Sequence, residues 1–337
     1  MSTIDVAELV QRFGMDVDNC TRLNTPRSTT STNVWRVERP DIKDNLFIVD
    51  TPEGREIACH PHIVGDELRV RAQACARASA ETMLQHTTLL RGSHRVVVHH
   101  ILRAAPGYEL KPQLQEALRQ RGHLKKLAYV SNRTKYVGSP SYRDHGTRRR
   151  IAITYRNYRQ LPKAEEIILV IPDTFATLGS FRSSLLDLVA QCESQDTHIN
   201  EAVLYGFVSI EACRRLNTFQ EETGVPTAVF ALEALTALAT NGYDMPFYGY
   251  DESGEALGSI TGASALRKLA PTYVPGLDTV GDWSARQRRF GEIEDHLRNT
   301  EVLLRGMLKD WKYENWQRRI AEDELTRIEK ELNHIRT

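Results

Sequence analysis

The stretch Glu165–Val189, EEIILVIPDTFATLGSFRSSLLDLV, decides how this chain folds. Ile167–Ile171 is an unbroken apolar run of the length expected for a strand buried on both faces. Pro172, Asp173, Thr174, Thr177, Gly179 and Ser180 make a small polar loop, and a helical pattern follows. Strand, small polar loop, helix is a unit with which α/β proteins hold phosphate, because the first amides of the helix lack partners and its dipole is positive there. The same residue types also serve as plain helix caps. Leu178 stands where close backbone approach favours glycine, and a positive φ at this residue would be costly. Asp173, at the loop entrance, is placed to accept from a sugar hydroxyl or to face a Mg²⁺-bound substrate.

The same rhythm repeats on either side. Upstream, HRVVVHHILRAAPGYELKPQLQEALRQRG gives a strand over Val96–Leu102, a small-residue loop and a helix ending near Gly122. Downstream, INEAVLYGFVSIEACRRLNTF gives another strand and helix, and TAVFALEAL repeats the theme more weakly. Such alternation indicates an α/β fold with a mostly parallel sheet and helices on both faces. ELRVRAQACARASAETMLQ reads as a helix. NLFIVDTPEGREIACH reads as two short strands around a turn at Pro52–Gly54, and Leu23–Asn33 as a Ser/Thr-rich loop. We divide the chain into an N-terminal extension of unassigned role (1–65), an α/β domain (66–282) and a helical tail (283–337).

From Arg119 to Lys163 thirteen Lys/Arg face one acid, Asp144, a local net charge of +12. KLAYVSNR and RIAITYRNY are strand-like within it, joined by a turn-rich link. This is a basic, β-rich arm (119–163), suited first to an anionic small-molecule substrate, and otherwise to a merely solvated or dimer-forming role or to nucleic acid; Tyr136, Tyr142, Tyr155 and Tyr158 among its arginines suit base stacking or ordinary packing. In the tail, Leu325, Ile328, Leu332 and Ile335 form a narrow apolar seam. It fits a helix packed on its own domain or a homodimer contact equally well.

Over all 337 residues, 44 Lys/Arg balance 44 Asp/Glu, so global charge points neither to nucleic acid nor to a membrane. No apolar run reaches membrane-spanning length, and Met1 is followed by a polar STID, so a cytoplasmic protein is expected. Five scattered cysteines without a CxxC pair fit a reducing compartment. CHPHI (Cys59–Ile63) crowds Cys59, His60 and His62 together with no second Cys/His pair at zinc spacing, and reads as a loop or strand edge before it reads as a metal site. His94, His99 and His100 flank a strand and read as structural.

Four stretches, in order, resemble the type I phosphoribosyltransferases, and most closely their uracil branch. ILVIPDTFATLGS is similar to the family's loop for phosphoribosyl pyrophosphate (PRPP), and HHILRAAPG to its pyrophosphate loop. SYRDHGT…YRQLP resembles the segment that precedes the central strand, and YVPGLDTVGDW the base-binding segment. The resemblance spans roughly residues 70–283. It implies a Mg²⁺-assisted transfer of ribose 5-phosphate from PRPP to a nucleobase-like heterocycle, with pyrophosphate released. Thr174, Ala176, Thr177, Leu178, Gly179 and Ser180 would hold the 5-phosphate, and Asp173 the ribose hydroxyls and the substrate-bound Mg²⁺. Arg103, Ala104 and Ala105 would approach the pyrophosphate. Arg143, or Arg133, would reach over the site from the arm, and Val274, Gly276, Gly281 and Asp282 would line the base pocket. The departures from the family pattern at Pro172, Leu178, Ala105-Pro106, Asp278–Val280 and Trp283 keep a second reading open, a fold member that binds PRPP or a nucleotide as a regulatory ligand. A nucleic-acid-associated protein using the arm is the third.

Overall fold

The computed structural model describes residues 5–24, 32–90, 94–123, 127–137, 150–288 and 292–336. Among these, nine strands form one sheet in the order β1-β2-β3-β9-β8-β7-β4-β5-β6. They are β1 (Cys20–Leu23), β2 (Asn33–Arg39), β3 (Ile42–Asp50), β4 (Arg95–Leu102), β5 (Ala128–Val137), β6 (Arg150–Asn157), β7 (Glu166–Pro172), β8 (His198–Ser209) and β9 (Thr227–Thr236). The six central strands, from β3 to β5, run parallel; β1, β2 and β6 are antiparallel to their neighbours. The expected mostly parallel α/β sheet is therefore present, with antiparallel margins on both sides.

The strand sequences explain their places. Ile167–Ile171 of β7 and all of β9 are buried, as the middle of a sheet covered on both faces requires. On one face lie α2 (Pro52–Cys59), α3 (Gly65–His86) and α4 (Leu110–Gln120), packed over Val98, Val170 and Phe230. On the other lie α5 (Gly179–Glu193) and α6 (Ile210–Thr223), packed over Val97, Leu169 and Leu204. Each fully buried aliphatic side chain in these layers contributes about 1.5–3 kcal/mol.

The described strands of the N-terminal extension continue this sheet. After α1 (Val6–Phe13), β1–β3 form a meander, and β3 pairs in parallel with β9. The expected turn at Pro52–Gly54 is instead the first turn of α2. Thr51 Oγ1 accepts from the Gly54 amide at 2.9 Å, and Pro52 fits the first helical turn, where its missing N–H costs nothing. His60 follows as the cap of α2, so CHPHI is the end of a helix and the turn after it. Residues 25–31 of the Ser/Thr-rich stretch lie outside the described residues.

Beyond β9 come the short hairpin β10 (Tyr248–Tyr250) and β11 (Ala256–Gly258), then α7 (Ala263–Leu269). The tail forms α8 (Ile293–Lys309) and α9 (Asn315–Arg336). Its apolar seam is covered within the chain: Ile328 and Leu332 are buried, and with Leu325 they pack against Val274, Leu277, Leu297 and Leu304, while Ile335 stays exposed. The tail thus packs on its own domain. No helix among the described residues is long and apolar enough to cross a membrane.

Candidate active site

Connectivity reverses between β4 and β7: the chain moves from β4 outward to β5, then returns to β7 and proceeds the other way through β8 and β9. In open parallel sheets a crevice opens at such a point beyond the carboxyl ends of the strands. Here it is a cleft of about 750 Å³. Arg103 and Ala104, after β4, line it together with Asp173–Phe181, after β7. Arg133, Thr134, Lys135 and Tyr136 of β5 form a third side, and Tyr243, Gly281–Ala285 and the start of α8 the fourth.

The loop after β7 is held by β8. The amides of Asp173 and Phe175 donate to the carbonyls of Tyr205 and Phe207, the Ser209 amide donates to Phe175 O, and Ser209 Oγ donates to Ala176 O at 2.6 Å. Gly206 permits this approach: a Cβ there would lie 2.0 Å from Asp173 O, and its φ is +144°. Leu178 has φ +60° and precedes the first residue of α5; its carbonyl accepts the Arg182 amide at 2.7 Å. The amides of Gly179, Ser180 and Phe181 thus belong to the unpaired first turn of a 15-residue helix, at the cleft wall. The anticipated penalty at Leu178 is real, about 1–2 kcal/mol for a left-handed non-glycine residue. It is offset by the side chain, 6% exposed and packed in the layer of Phe175 and Phe181.

Asp173 is 7% exposed, and its Oδ1 accepts from the Thr174 amide at 2.9 Å. Desolvation outweighs that one hydrogen bond and pushes its carboxyl up to about 8. On the opposite wall, Asp278 Oδ1 accepts from the amides of Met245, Val280 and Gly281 and so shapes the turn that presents Gly281 and Asp282. Burial, with Asp244 and Asp282 nearby, pushes the Asp278 carboxyl up to about 7. Arg103 pairs with Glu292, and Arg215 donates to Thr177 O at 3.2 Å. The Leu102–Arg103 peptide is cis.

The structure thus gathers Asp173, Thr174, Ala176–Ser180, Arg103, Ala104, Arg133, Gly281 and Asp282 in one cleft. Three expected site residues fall elsewhere. Ala105 is buried behind the loop rather than lining it. Val274 is buried in the layer under α8 and α9, and Gly276 packs against Tyr250 and Tyr313, because the turn before Leu277 docks on the tail helices. Arg143 lies in 138–149, outside the described residues, as does Tyr142.

Sequence reasoning did not reach several lining residues. Lys135 is one; Tyr136, read from sequence only as a stacking or packing residue, shares a face of β5 with Thr134, and Ile151 of β6 joins it in approaching Gly179: a Cβ there would lie 3.3 Å from each. The described strands of the basic arm, β5 and β6, therefore reach the loop at Gly179. Tyr108 stacks on Trp283 with ring centroids 4.4 Å apart, and its hydroxyl is 2.6 Å from Thr174 Oγ1. Glu292, Asp295, His296 and Asn299 come from the tail, where nothing in the local pattern signals a site. The strand histidines serve structure: His99 is buried 3.4 Å from Ser184 Oγ, and desolvation pushes its imidazole down to about 4. Tyr158, among the arm's tyrosines, donates to Asp187 at 2.6 Å.

No family model matches the sequence, and no curated protein sequence matches it. Solved structures similar to it include adenine phosphoribosyl transferase from Trypanosoma brucei, at 11% identity over 57% of this chain and 85% of the other, with a TM-score of 0.37. Hypoxanthine phosphoribosyltransferase from Staphylococcus aureus is similar at 12% identity over 43% and 65%, TM-score 0.27. Orotate phosphoribosyltransferase from Francisella tularensis is similar at 10% over 49% and 65%, TM-score 0.29. Likenesses of this size carry no argument about chemistry, which has to come from the cleft.

Proposed function

We propose that the cleft binds PRPP and transfers its ribose 5-phosphate to a nucleobase-like heterocycle, releasing pyrophosphate. One observation carries this reading: the phosphate-type loop and the Arg103–Ala104 turn follow adjacent strands at the reversal of the sheet, so a phosphate and a pyrophosphate of one ligand can be held together. The amides of Gly179–Phe181 take the 5-phosphate at the positive end of α5. Arg103, Arg133 and Lys135 neutralise the pyrophosphate as the bond from its oxygen to the anomeric carbon breaks and charge moves onto it. Asp173 faces the ribose hydroxyls and the positive charge that develops on the sugar. Gly281, Asp282 and Tyr243 receive the acceptor on the far wall.

Magnesium fits here as an ion carried by the substrate, since Mg²⁺ is commonly held by one or two carboxylates together with substrate phosphates, and Asp173 is such a carboxylate. When bound it supplies further neutralisation of the leaving pyrophosphate. Its charge also offsets the desolvation that keeps Asp173 protonated near neutral pH.

A second reading has its own support, namely that Asp173 is buried and the residue beside it, Pro172, is one of the departures from the family pattern. On this reading PRPP or a nucleotide binds as a regulatory ligand without turnover. Thermal shift with PRPP and Mg²⁺, followed by pyrophosphate release over a panel of nucleobases, separates the two. Stabilisation with release on at least one base supports transfer, stabilisation without release supports the regulatory reading, and no stabilisation removes both.

A further inference from the structure

The turn after α2 offers two imidazoles to one carboxylate from the far end of the chain. His60 Nδ1 lies 2.9 Å from Glu324 Oε2, and His62 Nδ1 lies 2.5 Å from Glu324 Oε1. One donor atom from each of the three residues falls within 4.8 Å of the others. The Glu324 side chain is 1% exposed and the histidine side chains 15% and 16%, so the cluster is closed on the protein side and open beyond the rings.

The turn is fixed from behind. Arg286, fully buried, donates from Nη2 to His60 O at 2.8 Å and from Nε and Nη2 to Ile63 O. His296 Nε2 lies 3.0 Å from Pro61 O. These bonds hold the backbone of 60–63 so that both imidazoles face α9, and such pre-positioning is what a ligand set needs.

We propose that His60, His62 and Glu324 bind a divalent transition-metal ion of the zinc class, with a fourth position left to water or an outside ligand. Two imidazole nitrogens and one carboxylate oxygen are a zinc-type set, whereas Mg²⁺ and Ca²⁺ take oxygen ligands. In the hydrogen-bonded form each neutral imidazole donates its Nδ1–H to Glu324. On binding, the Nδ1 lone pair of each ring meets the ion, so each Nδ1 gives up its proton to Nε2 or to solvent. Arg327 Nη1, 3.3 Å from His60 Nδ1 and 3.4 Å from Glu324 Oε2, opposes a cation there, but its side chain is 49% exposed and can swing into solvent. The ion would tie the α2–α3 turn to α9. The site does not depend on what the cleft binds.

The test uses the full 337-residue chain, stripped with a chelator and titrated with zinc chloride by calorimetry, with magnesium chloride for contrast. The expected result is one zinc per chain, a raised Tm and no response to magnesium. The His60→Ala/His62→Ala variant should bind at least about tenfold more weakly, since even outer-shell partners of metal ligands cost that much. Arg327→Ala should bind zinc more tightly. Absence of saturable micromolar binding overturns the proposal, as does equal affinity in the double histidine variant, which would place the zinc elsewhere. If circular dichroism shows that variant unfolded, Arg327→Ala decides: tighter binding supports the site, and unchanged or weaker binding overturns it.

Discussion

At Asp173 the chain places an acid where it is hard to ionise. Its carboxyl is raised to about 8 by burial, so the folded state holds a proton that the unfolded chain releases near pH 4. The contribution to stability is present below about pH 4 and is lost as pH rises toward 8, on the order of a few kcal/mol. Asp173→Asn should therefore raise Tm relative to the unsubstituted chain at pH 8.5 and leave it little changed at pH 4. The same variant should lose the PRPP-dependent Tm shift; a shift that persists places the ligand elsewhere. Leu178 is the second revealing residue, with a left-handed backbone and a buried side chain at once. Leu178→Gly relieves the backbone but empties the side-chain volume, and large-to-small core changes cost about 2–5 kcal/mol. The net expectation is a loss of about 1–3 kcal/mol in urea unfolding. A gain in stability would mean that the strain exceeds the packing. The sequence showed that Leu178 is out of place for a phosphate cradle; that its side chain turns back into the layer of Phe175 and Phe181 was not legible, since both neighbours lie within a few residues and any rotamer was open.

Among elements, the loop after β7 and the β5–β6 hairpin are the ones that meet. Gly179→Ala adds a methyl 3.3 Å from Ile151 and Tyr136, which must yield by a few tenths of an ångström, while at the first position of α5 alanine gains less than the interior figure of about 0.5–1 kcal/mol. Stability should change little, and PRPP stabilisation should fall as the hairpin is pushed off the loop; a parallel loss of both would place the effect in folding. Gly206→Ala is the contrasting case, because its methyl meets backbone at 2.0 Å on a residue with positive φ. It should lower Tm and ligand response together. Most elements were legible because their apolar periods are strong, β7, β8 and β9 above all. α1, β1, β2, β10, β11 and α7 were not read at all, and α2 was misread because Pro-Glu-Gly after an Asp-Thr pair has turn composition. The Thr51 cap makes it a helix, with the Glu233 carboxylate accepting the Thr51 amide at 2.8 Å from 182 residues away.

For the molecule as a whole, the helical tail read as packing on its own domain or as a homodimer contact also lines the cleft. Glu292, Asp295, His296 and Asn299 of the tail line the cleft, and α9 covers Val274 and Leu277. Arg286 is the pin between these regions, donating to the carbonyls of Ile57, His60, Ile63 and Thr279 from full burial, which pushes its guanidinium down to about 10. Arg286→Met removes the side-chain donors of Ile57, Ile63 and Thr279 O and leaves His60 O only the Ile63 amide, and should cost about 3–5 kcal/mol, seen as a lower urea midpoint and faster hydrogen exchange in residues 57–63 and in α9. An exchange change confined to 57–63 would show that the tail docks without this pin.

What the sequence determined by itself is local and periodic: the alternation of strand and helix, the phosphate-type loop with its departures, the basic hairpin and the helical tail. Each rests on residues within one or two turns of one another. Only the tertiary structure decided which strand ends share a cleft, that Val274 and Gly276 face the tail instead of a base, and that Glu324 meets His60 and His62. Those are contacts between residues tens to hundreds of positions apart. They are fixed by how the sheet reverses and which apolar faces remain to be covered, and no short stretch of sequence carries that information.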